Sequence, residues 1–563
     1  MTATETQPEA HEDIGETHET EMGAASSDGL YRLIASNDHK DVGRMWIAMS
    51  LIFFVGLAAL GVVNEIERIS VDPQIWGSVS RAFQSWVLFR TGAIFMVVIP
   101  MFIGLATVVT PLQVGSAAIA FPRLAAASFW GWLFASIIHV VSFLADGGLG
   151  PAQTTSQQST LLTMTSLSFM IIALLGASVA IATTIVALRP TGMTLIDVPA
   201  FSWSMLVATS IWLLSLPVLI SNMILAYVDL QGRPFLDLGN PDLLWSRLEW
   251  AWSQPQVFAY AIPVLGILAD VMPVQTKSRQ AGRPILLGMI GMFGVLSFGA
   301  WAQSFWSKGG DPAFENGNFI YEETLYILFG LLIFLPAFGA FSGSMDQIRR
   351  GTAPKPGGAL VGVASGALLL LGATVAGELR VLAGLLDLLG VNPSWSALET
   401  NGVLLSSSTG ILLMVVAAAM ASAIGGLVHW APKIFGGFAV DPLAALGAMA
   451  LPGGGVAAGV GNIISAFDGQ PDDIRFVDNV DGLISTMNVL STVGLAMMAA
   501  GALAMIGSIL PAGRSKEVIS DDPWGGQTLE WASPSPPPIG NFVEPVGVVR
   551  SPEPLLDEIE GAN

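Results

Sequence analysis

Five histidines and no cysteine are all that this 563-residue chain offers a transition metal. Imidazole suits iron, copper and zinc, so each His needs a reading. His11 and His18 lie beside Glu12 and Glu19 in an acidic N-terminal stretch, where a solvated tail is expected. His39 sits at a helix start and His429 at a helix end beside Trp430; a structural hydrogen bond and a membrane-interface anchor are the expectations there. His139 lies inside an apolar run. An ionisable residue at membrane depth is a functional candidate by default, and a neutral His bonded to a neighbouring helix is the simpler alternative. Without Cys there is no disulfide, iron–sulfur cluster or thiolate-bridged copper. No phosphate loop, Ser/His/Asp set or zinc spacing stands out. Gln254, Gln256, Gln303 and Ser304 are polar but do not titrate, so they suit hydrogen bonding rather than proton transfer.

The elements that would position these residues are membrane helices. Hydrophobic residues make up 52% of the chain and charged residues only 12%, against roughly 25% charged in a soluble domain. About twelve apolar runs recur from Met45–Val63 to Ile484–Leu510, each long enough for a hydrocarbon core of roughly 30 Å. The ninth and eleventh, Ala359–Val375 and Ala439–Ser465, are rich in Gly. Bundled helices tolerate Gly and Pro when neighbours satisfy the freed backbone groups. The sequence predicts three parts: an acidic disordered tail at 1–36, a membrane domain at 37–512, and a Pro-rich cytoplasmic tail at 513–563. Lys and Arg concentrate in alternate loops, among them Arg189, Lys277, Arg279, Arg283, Arg349 and Arg350, which predicts both termini in the cytoplasm. No secretory signal peptide is visible in the polar N-terminal stretch. A net charge of −20 argues against a nucleic-acid partner. The lipid bilayer and other membrane subunits are the expected partners, with the cell membrane as the location.

Several motifs in order resemble heme-copper oxidase subunit I. Trp250–Phe258 reads W-A-W-S-Q-P-Q-V-F, similar to that family's W-x-x-x-H-P-E-V-Y. N-D-H-K-D-V-G at Asn37–Gly43, P-L-Q-V-G-S-A-A-I-A-F-P-R-L at Pro111–Leu124 and R-P-T-G-M-T-L at Arg189–Leu195 resemble other family segments. So do G-G-L-V-H-W-A-P-K-I-F-G at Gly425–Gly436 and D-P-W-G-G-Q-T-L-E-W at Asp522–Trp531. The resemblance implies an all-α integral membrane bundle of about twelve transmembrane helices. It also implies two hemes and copper, held in the family by six histidines.

Aligned by their flanks, the ligand positions hold other residues. Thr91 stands where helix two of the family has a heme ligand. Gln254, Gln303 and Ser304 stand where copper ligands are expected, and Gly410 and Leu412 where helix ten carries its pair of His. Gln256 and Phe258 take the places of the family's proton-carrying Glu and crosslinked Tyr. Ala118, Thr107 and Ala340 fall at proton-path positions. Asp146 and Asp229 match acidic residues after helices three and five, where structural carboxylates are expected.

The reading is a noncatalytic subunit I-like protein that binds no cofactor, serving as a structural, assembly or regulatory subunit of a respiratory or other membrane complex. Gln254, Gln256, Gln303 and Ser304 are expected to converge as a hydrogen-bonded plug, since an unpaired polar group in hydrocarbon is costly. A neutral pocket for a small polar ligand is the alternative at that place. Two other functions stay open: a terminal oxidase with unconventional ligation, and a transporter or channel using the vacated cavity.

Overall fold

The computed structural model describes residues 36–69, 75–150, 156–232, 245, 248–298, 327–388, 408–470, 480, 482–514 and 519–561. Helices and connecting turns account for all of them, with no strand among the described residues. Among the described residues, eleven helices are long and apolar enough to cross a membrane, and one shorter apolar helix joins them. In chain order these are α1 (His39–Arg68), α2 (Val79–Gln113), α3 (Pro122–Leu144), α4 (Gln157–Ala187), α5 (Ala200–Leu230) and α6 (Gln256–Thr276). They continue with α7 (Arg283–Leu296), α8 (Ile327–Arg350), α9 (Gly358–Leu388), α10 (Ser408–His429), α11 (Asp441–Phe467) and α12 (Gly482–Ile509). The chain is therefore a multi-pass membrane protein of the expected all-α class.

Local sequence explains where these helices begin. Asp38 caps α1 by accepting from the Lys40 backbone N–H at 3.0 Å. Ser78 and Ser156 do the same for α2 and α4 at 3.3 Å. A side-chain acceptor satisfies one of the N–H groups that a helix start leaves without a partner. Pro122 and Pro442 occupy first-turn positions of α3 and α11, where a missing N–H costs nothing. One wider turn interrupts α2: Ala93–Val98 is π-helical, directly after Thr91 and Gly92.

Apolar faces sort the helices into an inner and an outer set. The apolar spans of α2, α6 and α10 are wholly buried, whereas those of α1, α3, α4, α5, α11 and α12 are about half exposed. In lipid an apolar surface suits either place, so packing rather than hydropathy separates the two sets. The outer helices pack on their sequence neighbours, α3 on α4 and α4 on α5, and α12 returns to pack on α1. Helices α11 and α12 approach most closely through small residues. A Cβ added to Gly454 would run into the Gly494 carbonyl, and one added to Gly494 into the Ala458 backbone N. Small residues at such a seam let backbones meet where lipid supplies no hydrophobic drive.

The segment 519–561 folds back over the end of the bundle where α2, α6 and α10 terminate. Lys433, in the short helix Ala431–Phe435 after α10, donates to the carbonyls of Asp521 (2.8 Å) and Ser533. The Trp524 indole N–H donates to the His429 carbonyl at 2.9 Å. Asn541 donates to Ser116 at 2.7 Å and accepts from Lys40 at 3.3 Å. The start of α1 and this strap thus share one end of the molecule.

Candidate functional site

All the described candidate positions that the sequence alignment sets against ligands fall on or beside the three buried helices. Thr91 is buried on α2, its hydroxyl turned toward its own helix and toward α3. It contacts the carbonyls of Val87 and Leu88 at 3.0 and 3.1 Å and His139 Nε2 at 3.2 Å. His139 Nδ1 meets Ser166 Oγ on α4 at 3.1 Å. The Ser166 hydroxyl also donates to the Thr163 carbonyl at 3.0 Å. Each ring nitrogen thus has a hydroxyl at hydrogen-bond distance, and the tautomer decides which of them donates. His139 ties three helices together, and Thr91 is one of the groups it holds.

Gln254 and Gln256 do not meet. Gln254 Nε2 donates to the Gly377 carbonyl of α9 at 3.0 Å. Gln256 Nε2 donates to Ser215 Oγ of α5 at 3.1 Å. Gln254 lies in the turn before α6 and Gln256 is the first residue of that helix, and their amides bond to different neighbouring helices, so the expected convergence fails for this pair. The seat of Gln254 depends on a glycine: a Cβ at position 377 would lie 2.7 Å from Gln254 Oε1 and 3.2 Å from the Phe258 ring. Phe258 packs near Phe293 of α7, with ring centroids 6.3 Å apart. Gln303 and Ser304 lie outside the described residues.

On α10, Gly410 faces α11 at backbone distance. A Cβ there would stand 2.6 Å from the Gly459 carbonyl oxygen and 2.7 Å from Ile463. Leu412 is buried in the apolar core. The void between α1, α2, α10 and α12, lined by Phe54, Phe89, Val97, Leu413 and Met498, measures about 10 Å³, the room of roughly one water. A larger cavity of about 850 Å³ opens elsewhere, at the far end of α1 and α2. Asp146 lines it with Trp76, Gln84 and Arg81, and pairs with Arg81 at 3.6 Å. Both partners are about half exposed or more, and such pairs contribute little.

Thr91, Gln254, Gly410 and Leu412 bring no imidazole to the core, and position 410 has no space for any side chain. These four positions do not fit conventional heme or copper ligation.

A second polar cluster escaped the sequence reading. Gln113, at the end of α2, donates from Nε2 to Asp270 of α6 at 2.9 Å and to Glu530 Oε1 of the strap at 3.2 Å. Its carbonyl accepts from Ser202 Oγ of α5 at 2.6 Å. Asp270 also accepts the backbone N–H groups of Ala200 and Phe201 at 2.8 and 3.0 Å. Glu530 is fully buried, accepts from the Trp430 indole at 3.4 Å, and has no described partner for Oε2. Burial, with the negative Asp270 adding to it, pushes the Glu530 carboxyl up to about 7. Burial likewise pulls the Lys433 ammonium down to about 8, against the attraction of Glu530, Asp521 and Asp522. Asp270 interrupts the apolar run Val257–Val274, and that interruption was the available signal.

Comparison with known proteins places these features. Residues 41–381 match the family model described as Cytochrome C and Quinol oxidase polypeptide I. A putative cytochrome c oxidase subunit 1-beta of Streptomyces avermitilis is 26% identical over 547 residues, covering 93% of this chain and 91% of the relative. A quinol oxidase subunit 1 of Bacillus subtilis is 26% identical over 525 residues, covering 90% and 77%. Among solved structures, a heme-copper terminal oxidase dimer matches with a TM-score of 0.61 at 12% identity, over 92% of this chain and 89% of that one. These findings correct the expectation of no cofactor. The matching family is heme-copper oxidase subunit I, which binds hemes and copper. The count of missing imidazoles addressed one mode of ligation and could not decide occupancy.

Proposed function

The chain belongs to the heme-copper oxidase subunit I family, and on that premise we propose that it serves a respiratory or other membrane complex as a structural, assembly or regulatory subunit, without reducing dioxygen itself. One observation carries this reading: the amides at the segment aligned with the family's copper and proton chemistry are committed to tying helices together. Gln254 holds α9 and Gln256 holds α5, and Phe258 has no polar atom. None of the three can take up or release a proton near neutral pH. Proton-coupled oxygen chemistry needs such a carrier within reach of the reacting centre. The proposal concerns turnover, and leaves to the family the question of which hemes or copper are bound. Its organisation follows the sequence: a tail at 1–36, a membrane domain at 37–512 and a segment at 513–563, with both termini cytoplasmic and the bundle in the cell membrane.

The second reading is a working terminal oxidase with unconventional ligation. The names of the relatives favour it, since they are cytochrome c oxidase and quinol oxidase subunits. Affinity purification of the chain from its own membranes separates the two. Recovery in fixed proportion with other membrane subunits, with unchanged oxygen uptake when this chain is depleted from the complex, is expected. Recovery of a complex whose oxygen uptake disappears with this chain, and returns on its addition, favours the oxidase.

A further inference from the structure

We propose that Glu530 is a proton-operated latch, which holds the strap 519–561 on the end of the bundle when protonated and loosens it when ionised. The geometry places a carboxyl of the strap in a closed site built by the membrane helices. Gln113 of α2 gives its one amide nitrogen to both Glu530 and Asp270. Trp430 supplies a second, longer contact to the same Glu530 oxygen, and Oε2 has no described partner. Asp270 is better provided for, with two backbone N–H groups in addition to Gln113. Hydrogen bonds to a carboxylate favour its charged form, and Asp270 also has the positive charge of Arg283 nearby, which Glu530 does not. Two carboxylates sharing a site resist double ionisation, and Glu530 is the one left to keep the proton.

The charged groups around Glu530 come from every neighbouring element. Asp270 faces it from α6 and repels the anion. Lys433 attracts it from the short helix after α10, but spends its N–H groups on the carbonyls of Asp521 and Ser533. Asp521 and Asp522 lie on the strap itself and compete for the Lys433 charge. His429 stacks edge-on to Trp531 with centroids 5.1 Å apart, and Lys277 donates to the Trp524 carbonyl. Farther along the strap, Glu553 pairs with Arg279 at 3.2 Å. No cation is bonded to Glu530 among the described residues, and its hydrogen bonds offset only part of the cost of burying its charge.

The direction of the effect follows from linkage. The docked carboxyl is raised to about 7, whereas a released one returns to the ordinary Glu range. Docking is thus fully favoured below that ordinary range and weakens as pH rises toward about 7. Each pH unit in the interval shifts the equilibrium by up to about tenfold.

Hydrogen–deuterium exchange of the purified full-length protein in detergent tests this, with rates corrected for intrinsic pH dependence. Between pH 5.5 and 7.5, protection of the amides over 521–541 is expected to fall by roughly tenfold or more, while that of the core of α10 stays constant. Glu530→Gln keeps the shape without the charge, so its strap is expected to stay protected at both pH values. As a second measurement on the unaltered chain, infrared difference spectra between the two pH values are expected to show loss of a protonated carboxyl band, absent in Glu530→Gln. Equal protection at both pH values in the unaltered chain overturns the latch. So does an unchanged pH response in Glu530→Gln.

Discussion

Gln254, Gln256 and Gly410 decide what the core of this protein can do. The two amides each bridge to another helix, and Ser215 already donates to the Ile211 carbonyl at 2.8 Å. Loss of the Gln256 bond therefore leaves no stranded hydroxyl proton. Gln256→Leu is expected to cost about 1 kcal/mol, whereas Gln256→Glu costs more, because a buried carboxylate there meets no cation among the described residues. Thermal unfolding of the two variants in detergent checks the order. A Gln256→Glu protein as stable as the Leu variant contradicts the assignment of Gln256 as a neutral tie. At position 410 the conflict is steric. Gly410→His adds an imidazole, but its Cβ falls 2.6 Å from the Gly459 carbonyl. Overpacking of this kind typically costs about 1–3 kcal/mol, so a lower melting temperature without gain of bound heme is the expected result.

Helix seams set how much of the bundle was legible beforehand. Long apolar runs announce spanning helices, and eleven of the twelve segments from Met45–Val63 to Ile484–Leu510 match helices of spanning length in order, while Leu286–Ser304 meets the shorter α7 over its described part. Which helices lie inside was not legible, because α1 and α10 are similarly apolar and only packing distinguishes them. The Gly-rich eleventh run read weakly as a helix for the same reason that it packs closely: its glycines serve the seam with α12. Gly494→Val is expected to destabilise the protein by about 1–3 kcal/mol. Gly507→Ala, whose Cβ meets only Leu443 at 3.7 Å, should be neutral or gain up to about 1 kcal/mol. Inactivation half-lives in detergent compare them, and equal half-lives contradict the seam. At the candidate site, residue identities were legible and side-chain directions were not. The sequence shows Gln254 and Gln256 as neighbours, and only their partners on α9 and α5 show them pointing apart.

The whole molecule keeps the architecture of an oxidase subunit I, while Gln254 and Gln256 tie its core to α9 and α5 through neutral groups. Its C-terminal strap is part of that architecture, since it supplies Glu530 to the end of the bundle and carbonyl acceptors to Lys433. Deletion of residues 519–563 would remove those acceptors from a buried ammonium, and a marked loss of thermal stability is the expected outcome in a melting experiment. The proposed role implies that this chain does not reduce dioxygen. Its most direct test is oxygen uptake per chain, measured on the purified protein supplied with reduced cytochrome c or with a quinol, alongside a reduced-minus-oxidised spectrum that counts its hemes. Uptake at the level of the protein-free control, whatever the heme count, is the predicted result; sustained turnover that follows the amount of this chain would contradict it.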